Sequence, residues 1–484
     1  MNPLRFSVLH QRLLALSVGA ALVAGCAVGP AYEQPDTVQP GAYKEAEGWL
    51  PAAPADTLAR GPWWQLFGDP VLNRMADSIE VSNQNVARAI ASYAQARALV
   101  REQRAALFPS VNLSGSGQRS GTATGISTVT GTAGGAGANQ QFRLNIGASW
   151  EPDIWGRLRA GVSSASASVQ ASAADLAAAR LSAQGELAIN YFSLRQSDAQ
   201  QALLGTTIEG YQRVLQITQN RFDAGIAANV DLLQAQTQLA NAQIDAVGLV
   251  RQRAQLEHAI ALLLGKAPAD FALSEAPWTV VVPAIPLGLP STLLQRRPDI
   301  AAAERRVAVA NEQIGIARSA YYPSISLTGS SGFGASGVAA LFNASNSAWS
   351  IGASAAQSLF NAGATGARVD AAIAAHDVTV AQYRQTVLGA FADVENQLAA
   401  TRALMQQQGL RRVASEAADQ VELRMLNRYR AGQVSYTDVV TVQATALAAR
   451  RALVQVQADR QTTAVALILS LGGGWSVVSS PVAQ

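Results

Sequence analysis

The chain carries the same structural plan twice, and this duplication restricts the folds that it can adopt. The segment N-R-F-D-A-G at 220–225 returns as N-R-Y-R-A-G at 427–432, an offset of 207 residues. Upstream, A-L-F-P-S at 106–110 matches A-Y-Y-P-S at 320–324. These matches fall at helix ends and turns, so chance similarity between alanine-rich helices does not explain them. The pattern predicts two copies of one structural unit.

Each copy contains one very long helix and one shorter helix. The predicted proline-free helices cover about 157–219, 230–264, 364–429 and 437–471, and further helices run from Asp69-Pro70 to about Leu107 and over about 299–320. An unbroken helix of about 63 residues would be about 95 Å long. That length is typical of a coiled coil or a long bundle.

Two predicted strand pairs precede the long helices. Strands are predicted at about 110–118, 140–152, 324–334 and 347–358, with a Gly/Ser/Thr-rich loop at 117–138. Apolar and polar residues alternate in the second and fourth strands, which places every apolar side chain on one face. The residues assigned to this lipid-facing side are Phe142, Leu144, Ile146, Trp150, Trp349 and Ile351. The predicted fold class is therefore mostly α with a small β portion.

If these strands cross a membrane, they must close with copies of themselves. Unpaired backbone groups in hydrocarbon cost several kcal/mol each, so a lipid-exposed sheet cannot keep open edges. Known single-chain outer membrane barrels begin at about eight strands, whereas this chain offers four. The strand pattern thus predicts an oligomer with a shared barrel and leaves the number of subunits open. After the first 25 residues, no run reaches the roughly 18 apolar residues that a spanning helix requires.

The N-terminus predicts a lipid anchor. Arg5 and Arg12 precede an apolar run at 13–24. The run is followed by V-A-G-C, which ends at Cys26, the single cysteine of the sequence. The pattern resembles the bacterial lipobox, in which the cysteine becomes the N-terminus and carries N-palmitoyl and S-diacylglycerol groups. Residues 1–25 are then a signal peptide. The alternative is an ordinary cleaved signal with an accidental cysteine.

Composition and motifs do not indicate an enzyme or a nucleic-acid-binding protein. Charged residues make up 14% of the chain and the formal net charge is +3. The chain therefore lacks the large excess of positive charge that is typical of proteins that bind nucleic acid. His258 and His376 lack a second His or Cys at ligand spacing, so no metal site is predicted. The sequence has no G-x-S-x-G elbow and no Walker lysine motif. We therefore expect no catalytic residues, no cofactor beyond the lipid on Cys26, and energy supplied by partners.

Seven segments carry a family resemblance. They are W-W-Q-L-F-G-D-P-V-L at 63–72, W-E-P-D-I-W-G-R-L-R at 150–159, N-R-F-D-A-G at 220–225, L-L-L-G at 262–265, R-R-P-D-I at 296–300, N-R-Y-R-A-G at 427–432 and L-G-G-G-W at 471–475. With these segments the chain resembles the TolC/OprM-like outer membrane factor family, and more narrowly its NodT-type efflux lipoproteins. They follow the family's order across nearly the whole mature chain.

The resemblance implies a homotrimer that builds a 12-stranded β-barrel in the cell outer membrane and a long α-helical barrel in the periplasm. This passive duct would export drugs or other small molecules. Its implied partners are a periplasmic adaptor (membrane fusion protein) and an inner-membrane pump of the resistance-nodulation-division (RND) class. An outer membrane duct for type I protein secretion is the nearer alternative. A structural or adhesive coiled-coil lipoprotein is the alternative from another class.

The family's plan divides the chain into segments. These are the signal peptide 1–25, a lipidated tether at 26–62, a first repeat at 63–265, an equatorial linker at 266–298, a second repeat at 299–471 and an equatorial tail at 472–484. The turns near 224–229 and 431–436 correspond to the periplasmic tip. The residues to which the resemblance assigns adaptor contact are Ala224, Gly225, Ile226, Ala431, Gly432 and Gln433.

The same turns also have a direct physical interpretation. Gly225 and Gly432 follow long helices, where a left-handed residue closes the helix. Asp231 and Asp438 lie near the next helix start, where a carboxylate complements the helix dipole. The closed family members narrow at the tip. The residues predicted to form this periplasmic constriction are the acidic Asp419 and Glu422 and the apolar Met425 and Leu426.

Overall fold

The structure, a computed structural model, describes residues 28–37, 40–45, 62–121, 139–285 and 296–473. Cys26, the signal region, most of the predicted loop at 117–138 and most of the tail at 472–484 lie outside the described residues. The helices are α1 (Pro70–Ser82), α2 (Gln84–Ala105), α3 (Arg157–Asp223), α4 (Asn229–Leu263), α5 (Pro298–Arg318), α6 (Ala364–Arg430) and α7 (Tyr436–Ser470). The strands are β1 (Ser110–Ser120), β2 (Asn139–Trp150), β3 (Ser324–Ala335) and β4 (Ser347–Ala356). This arrangement confirms the predicted fold class, mostly helical with a small sheet.

The prediction of one helix from Asp69-Pro70 to about Leu107 is wrong in one respect. The structure has two helices there, α1 and α2, separated at Asn83. The side-chain oxygen of Asn83 accepts hydrogen bonds from the backbone N–H groups of Asn85 (2.9 Å) and Val86 (3.1 Å). This geometry is an N-cap, so it starts α2 and ends α1. The Asn83 amide also donates to the carbonyl of Leu263 at 2.7 Å. Asn83 therefore ties the break to the end of α4, which the local sequence does not reveal.

The described chain forms two compact units, and the first contains the sheet. This unit comprises the segment up to Pro35, Ala94–Ala171 and Glu304–Gln382. The four strands are antiparallel and lie in the order β1-β2-β3-β4. The central pairing, β2 with β3, joins the strand pair of one repeat to that of the other. The two repeats therefore share a single sheet with β1 and β4 at its edges.

The second unit comprises Asp36–Tyr93, Ser172–Ala303 and the chain from Tyr383 onward. Its apolar core packs a short turn of 3-10 helix at Trp63–Phe67 and the buried face of α1 against α3, α4 and α7. The Phe67 and Phe192 rings lie 5.0 Å apart between their centres in this core. Aromatic burial on this scale fixes the turn before α1 to the middle of α3.

A buried charged network holds the linker to the second unit. The Asp198 carboxylate accepts hydrogen bonds from Arg195 and Arg253, each at 2.7 Å. Arg195 also donates to the carbonyl of Ser274 at 2.9 Å, and Arg253 donates to the carbonyl of Leu273. Both guanidinium groups thus use their fork of donors to bridge one carboxylate and the linker backbone. In the described residues 271–285 the linker has no regular secondary structure. The bonds from the two arginines to its carbonyl groups hold it in place of the hydrogen bonds of a helix or sheet.

Gly265 closes α4 where no other residue fits. Its φ is +65°, and a Cβ atom there would lie 2.2 Å from the carbonyl oxygen of Ser82. We expect Gly265→Ala to lower the free energy of unfolding by about 2–5 kcal/mol, combining left-handed strain with overpacking. Gly205→Ala in α3 is the control, because nothing lies within 4 Å of its added Cβ. Thermal denaturation followed by circular dichroism measures both, and equal melting temperatures would contradict the prediction.

Candidate functional site: the helix turns and the sheet face

The first turn, between α3 and α4, is a compact helix stop. Gly225 has a φ of +75°. The N–H of Ile226 donates to the carbonyl of Arg221 at 2.8 Å, and the N–H of Gly225 donates to that of Phe222 at 2.8 Å. These two bonds form the Schellman pattern, in which a left-handed residue satisfies the last free carbonyls of a helix. The left-handed glycine predicted here is confirmed.

The second turn, between α6 and α7, repeats this geometry. Gly432 has a φ of +74°, the N–H of Gln433 donates to Arg428 at 2.9 Å, and that of Gly432 donates to Tyr429 at 2.9 Å. All six residues assigned to adaptor contact are exposed: Ala224, Gly225, Ile226, Ala431, Gly432 and Gln433. The turns therefore offer exposed side chains on a hydrogen-bonded backbone, and contact with an adaptor stays a prediction.

The helix starts after the two turns differ. Ser435 and Asp438 form a reciprocal capping box at the start of α7, where each side chain accepts a hydrogen bond from the other's backbone N–H. At the start of α4 Ala228 provides no side-chain cap, and Asp231 lies in the first turn. Both aspartates are placed where they complement the helix dipole.

Beneath the turns lies a small aromatic core that the sequence did not predict. Tyr429 and Tyr436 are buried together with Val214, Ala235 and Val439. The Tyr429 hydroxyl lies 3.1 Å from that of Thr218, and the Arg221 guanidinium lies 4.8 Å from the centre of the Tyr429 ring. Burial raises the pKa of Tyr436 far above its usual value, so its phenol is neutral at physiological pH. This cluster, the tip core, joins the ends of both repeats.

The acidic side chains predicted at the constriction are paired within the chain. Arg450 on α7 contacts Asp419 at 2.7 Å and Glu422 at 2.6 Å. Burial by itself would lower the pKa of Arg450, but Glu422 and Asp419 together raise it, so the guanidinium stays charged. Met425 and Leu426 are half-buried against the tip core. The constriction stays a prediction. The sequence did not identify Arg450 as the partner of its two acidic residues.

One face of the sheet is apolar and largely exposed. The strand register places the six predicted lipid-facing residues on this single face: Phe142, Leu144, Ile146, Trp150, Trp349 and Ile351. Trp349 is 78% exposed and Ile351 is 83% exposed in the single chain. Val111 and Leu113 of β1 join the same face opposite Ala148 and Ile146. Exposed patches of this kind mark surfaces that contact lipid or protein.

The opposite face of the sheet is lined by small hydroxyl side chains. Three pairs of serine hydroxyls lie 2.8 Å apart across neighbouring strands: Ser110 with Ser149, Ser326 with Ser354, and Ser330 with Ser350. The sheet therefore separates an apolar face from a hydrophilic one. This two-sided pattern is what a sheet needs when it borders lipid on one side and water on the other.

Neither a metal centre nor a spanning helix is found in the described parts of the chain. No group of three or more His, Cys, Asp or Glu side chains there could hold a metal ion. None of the helices in those parts combines the length and apolarity needed to cross a bilayer.

Duplicated long helices ending in rigid turns, together with a two-faced antiparallel sheet, define the class of outer membrane channel proteins. The family model described as outer membrane efflux protein matches residues 75–266 and 289–473, so the chain belongs to that family. This match confirms the family resemblance found in the sequence. The family comprises channel proteins, without a known enzymatic activity or cofactor, and its outer membrane location applies to this chain.

Curated relatives and solved structures agree. The probable efflux pump outer membrane protein TtgC of Pseudomonas putida is 30% identical over 468 residues, which cover 96% of each chain. The cation efflux system protein CusC of Escherichia coli is 30% identical over 468 residues, 96% of this chain and 99% of that protein. The structure of the outer-membrane channel OprN is similar with a TM-score of 0.83 at 29% identity, and covers 93% of this chain and 100% of that one.

Proposed function

We propose that this protein is the passive outer membrane duct of a tripartite efflux system that exports drugs or other small molecules. The two-faced sheet is the observation that carries the proposal. An apolar outer face and a serine-rich inner face suit a wall between lipid and an aqueous channel. The names of the relatives support efflux, since one is an efflux pump outer membrane protein and another belongs to a cation efflux system.

The duct is formed by a homotrimer. The edges at β1 and β4 carry backbone groups that need partners in hydrocarbon. Three copies joined edge to edge give 12 strands, a number within the range of known outer membrane barrels. The long helices of the three copies form the periplasmic α-helical barrel.

The rigid turns are the adaptor-binding tip, and an RND-type pump supplies the energy. The test is to purify the protein from bacterial envelopes after mild crosslinking and to identify the adaptor and pump that come with it. Cysteine introduced at Ala227 or Val434 should crosslink to the adaptor. Crosslinks that arise only from positions in the sheet loops would overturn the tip assignment. Recovery of a type I secretion pump would favour the alternative duct for protein secretion.

Leu426 narrows the closed duct. It lies one turn before the helix end and packs only partly against the tip core. We expect Leu426→Ser to raise the single-channel conductance of purified trimers in a planar bilayer, because a smaller, hydrated side chain widens the passage. Val440→Ser is the control, since Val440 also packs partly against the tip core but lies on α7. Equal conductance of wild type and Leu426→Ser would contradict the prediction.

Cys26 carries the lipid, which is an auxiliary tether beside the barrel. We expect Cys26→Ala to lose acylation and to mislocalise in part. The same variant given another cleavable signal should still form trimers, because the shared barrel, and not the lipid, crosses the membrane. Mass spectrometry of the N-terminal peptide and native gel electrophoresis measure the two effects. Complete failure of the unlipidated form to assemble would show that the lipid is essential for assembly and not an auxiliary tether.

A further inference from the structure

The repeat provides a template for contacts that a single chain leaves unmade. Within one chain, α3 and α4 of the first repeat contact α6 and α7 of the second repeat through several side-chain pairs. Because the repeats are offset by 207 residues, each such pair has a counterpart in which the two repeats exchange roles. We call the first kind a template pair and the second kind an exchanged pair. The exchanged pairs differ from the template pairs in a consistent way.

The clearest template pair is an ion pair. Arg451 on α7 contacts Asp245 on α4 at 2.6 Å. The exchanged pair places Ile244 where the arginine would be and Ala452 where the aspartate would be. Ile244 is 67% exposed in the single chain. Both members of the pair have changed together, from opposite charges to two apolar side chains.

A second template pair lies one helical turn further along α7. The Gln196 amide of α3 donates to the side chain of Gln455 at 2.5 Å. The exchanged pair consists of Ala403 on α6 and Gly248 on α4, which are both exposed. A Cβ added at Gly248 would meet nothing within 4 Å in the single chain. Two long amides are thus replaced together by two of the smallest residues, which suits a close helix approach.

A third template pair lies in the tip core. The hydroxyls of Thr218 and Tyr429 lie 3.1 Å apart. The exchanged pair is Met425 with Phe222, and both of its members lack the hydroxyl group. Tyr429 is buried in the single chain, whereas Phe222 is 37% exposed. Thioether and aromatic groups attract one another, so the exchanged pair is matched as well.

The same relation holds for the apolar neighbour of this pair. Val214 is buried beside Tyr429, while its counterpart Val421 is 48% exposed. Arg221 covers the Tyr429 ring, and its counterpart Arg428 is exposed in the single chain. Among the described residues, the Arg428 side chain makes no hydrogen bond or ion pair within the single chain. The buried residues Val214 and Tyr429 therefore have exposed counterparts of suitable chemistry, Val421 and Phe222, whereas Met425, the counterpart of Thr218, is half-buried.

We propose that the exchanged pairs form between copies, with α6 and α7 of one copy packed against α3 and α4 of the next. The occupant of the exposed face on α4 is thus a second copy of this chain. Residues 244 and 245 are adjacent on a helix, so their side chains point about 100° apart. Three copies with two repeats each form a ring of six repeats, in which each repeat sees its two neighbours in directions about 120° apart. The two angles are similar. One side chain faces the second repeat of its own chain, and the other faces that of the next copy.

The chemistry suits this division of contacts. Interfaces between permanently associated copies are more apolar than the rest of a protein surface, whereas contacts within a chain form at high effective concentration. Placing ion and amide pairs within the chain and apolar pairs between copies also disfavours the wrong pairing, since Ile244 opposite Asp245 would leave a charge unpaired. The interface joins unlike surfaces, and three copies related by a rotation of 120° close such contacts into a ring. The inference rests on the homotrimer of the proposed function and names its contact residues.

Two singly substituted chains with different affinity tags test the proposal. Ile244→Cys and Ala452→Cys chains are produced together and treated with a short bismaleimide, so that a crosslink between them can arise only between copies. Asp245→Cys and Arg451→Cys chains, produced together, are the matched control because their contact lies within one chain. Cys26 is the one natural cysteine, and the parent chain reports any crosslink through it.

We expect covalent dimers carrying both tags from the Ile244→Cys and Ala452→Cys chains, and at most a trace from the control chains. Purification through one tag shows whether the copies associate at all. Associated copies without a crosslink in the first combination, or with equal crosslinking in both, would overturn the proposed contacts and leave the trimer standing. Copies that do not co-purify would overturn the trimer itself.

Discussion

Replacing Ile351 by arginine is expected to remove assembled protein from the outer membrane. Ile351 is 83% exposed on the apolar face of the sheet, next to Trp349 and opposite Gly329 of β3. An arginine that faces lipid near the middle of a bilayer costs about 2–4 kcal/mol, and three copies raise that cost to roughly 6–12 kcal/mol for each trimer. We expect heat-modifiable trimers in the outer membrane fraction to fall at least tenfold.

The neighbouring residue provides the control for this variant. Ser350 lies on the opposite face, where its hydroxyl lies 2.8 Å from that of Ser330. Ser350→Arg adds the same side chain to the same strand but directs it to the serine-lined face, which we propose borders the aqueous channel, so trimers should form and their ion selectivity should change. Loss of trimers from Ser350→Arg with normal trimers from Ile351→Arg would reverse the assignment of the two faces.

Replacing Asp198 by asparagine is expected to destabilise the second unit severely. The Asp198 side chain is 4% exposed, and it is the shared carboxylate of Arg195 and Arg253. Asparagine preserves the shape but removes the charge, which leaves two largely buried guanidinium groups with less compensation. Removing one partner of a buried ion pair costs about 3–5 kcal/mol. We expect a lower melting temperature and early proteolysis in the linker at 271–285, which both arginines hold.

Asp377→Asn is the matched control for Asp198→Asn. Asp377 makes a single 3.4 Å contact with His376, and its side chain is 73% exposed. Substitutions at such surface positions usually change stability by less than about 0.5 kcal/mol. Circular dichroism melting and limited trypsin digestion of purified protein measure both variants. Matching melting curves and digestion patterns would show that the Asp198 network does not hold the linker.

The sheet could be predicted from the sequence to a large extent, because a strand has only two faces. Alternation from Phe142 to Trp150 fixes which side chains share a face once the strand exists. The pairing of β2 with β3 could not be predicted, since it joins residues about 185 positions apart, such as Ile146 and Ser331, through backbone groups that every sequence possesses.

The helix turns were predicted for a similar local reason. Glycine just past a helix end favours the left-handed conformation, and Gly225 and Gly432 both adopt it. The break at Asn83 was missed because its amide also bonds the distant Leu263. Arg450 was missed as well, because its contacts with Asp419 and Glu422 depend on how α6 and α7 pack, which spacing about the turn at Gly432 does not fix.

The measurement that tests the central claim most directly is the conductance of the purified protein in a planar lipid bilayer. We predict that trimers extracted from the outer membrane insert as stable, water-filled channels, and that Ile351→Arg protein yields no such channels while Ser350→Arg protein does. Folded trimers that bind the bilayer through their lipid but never conduct ions would contradict the proposed duct and favour a structural lipoprotein.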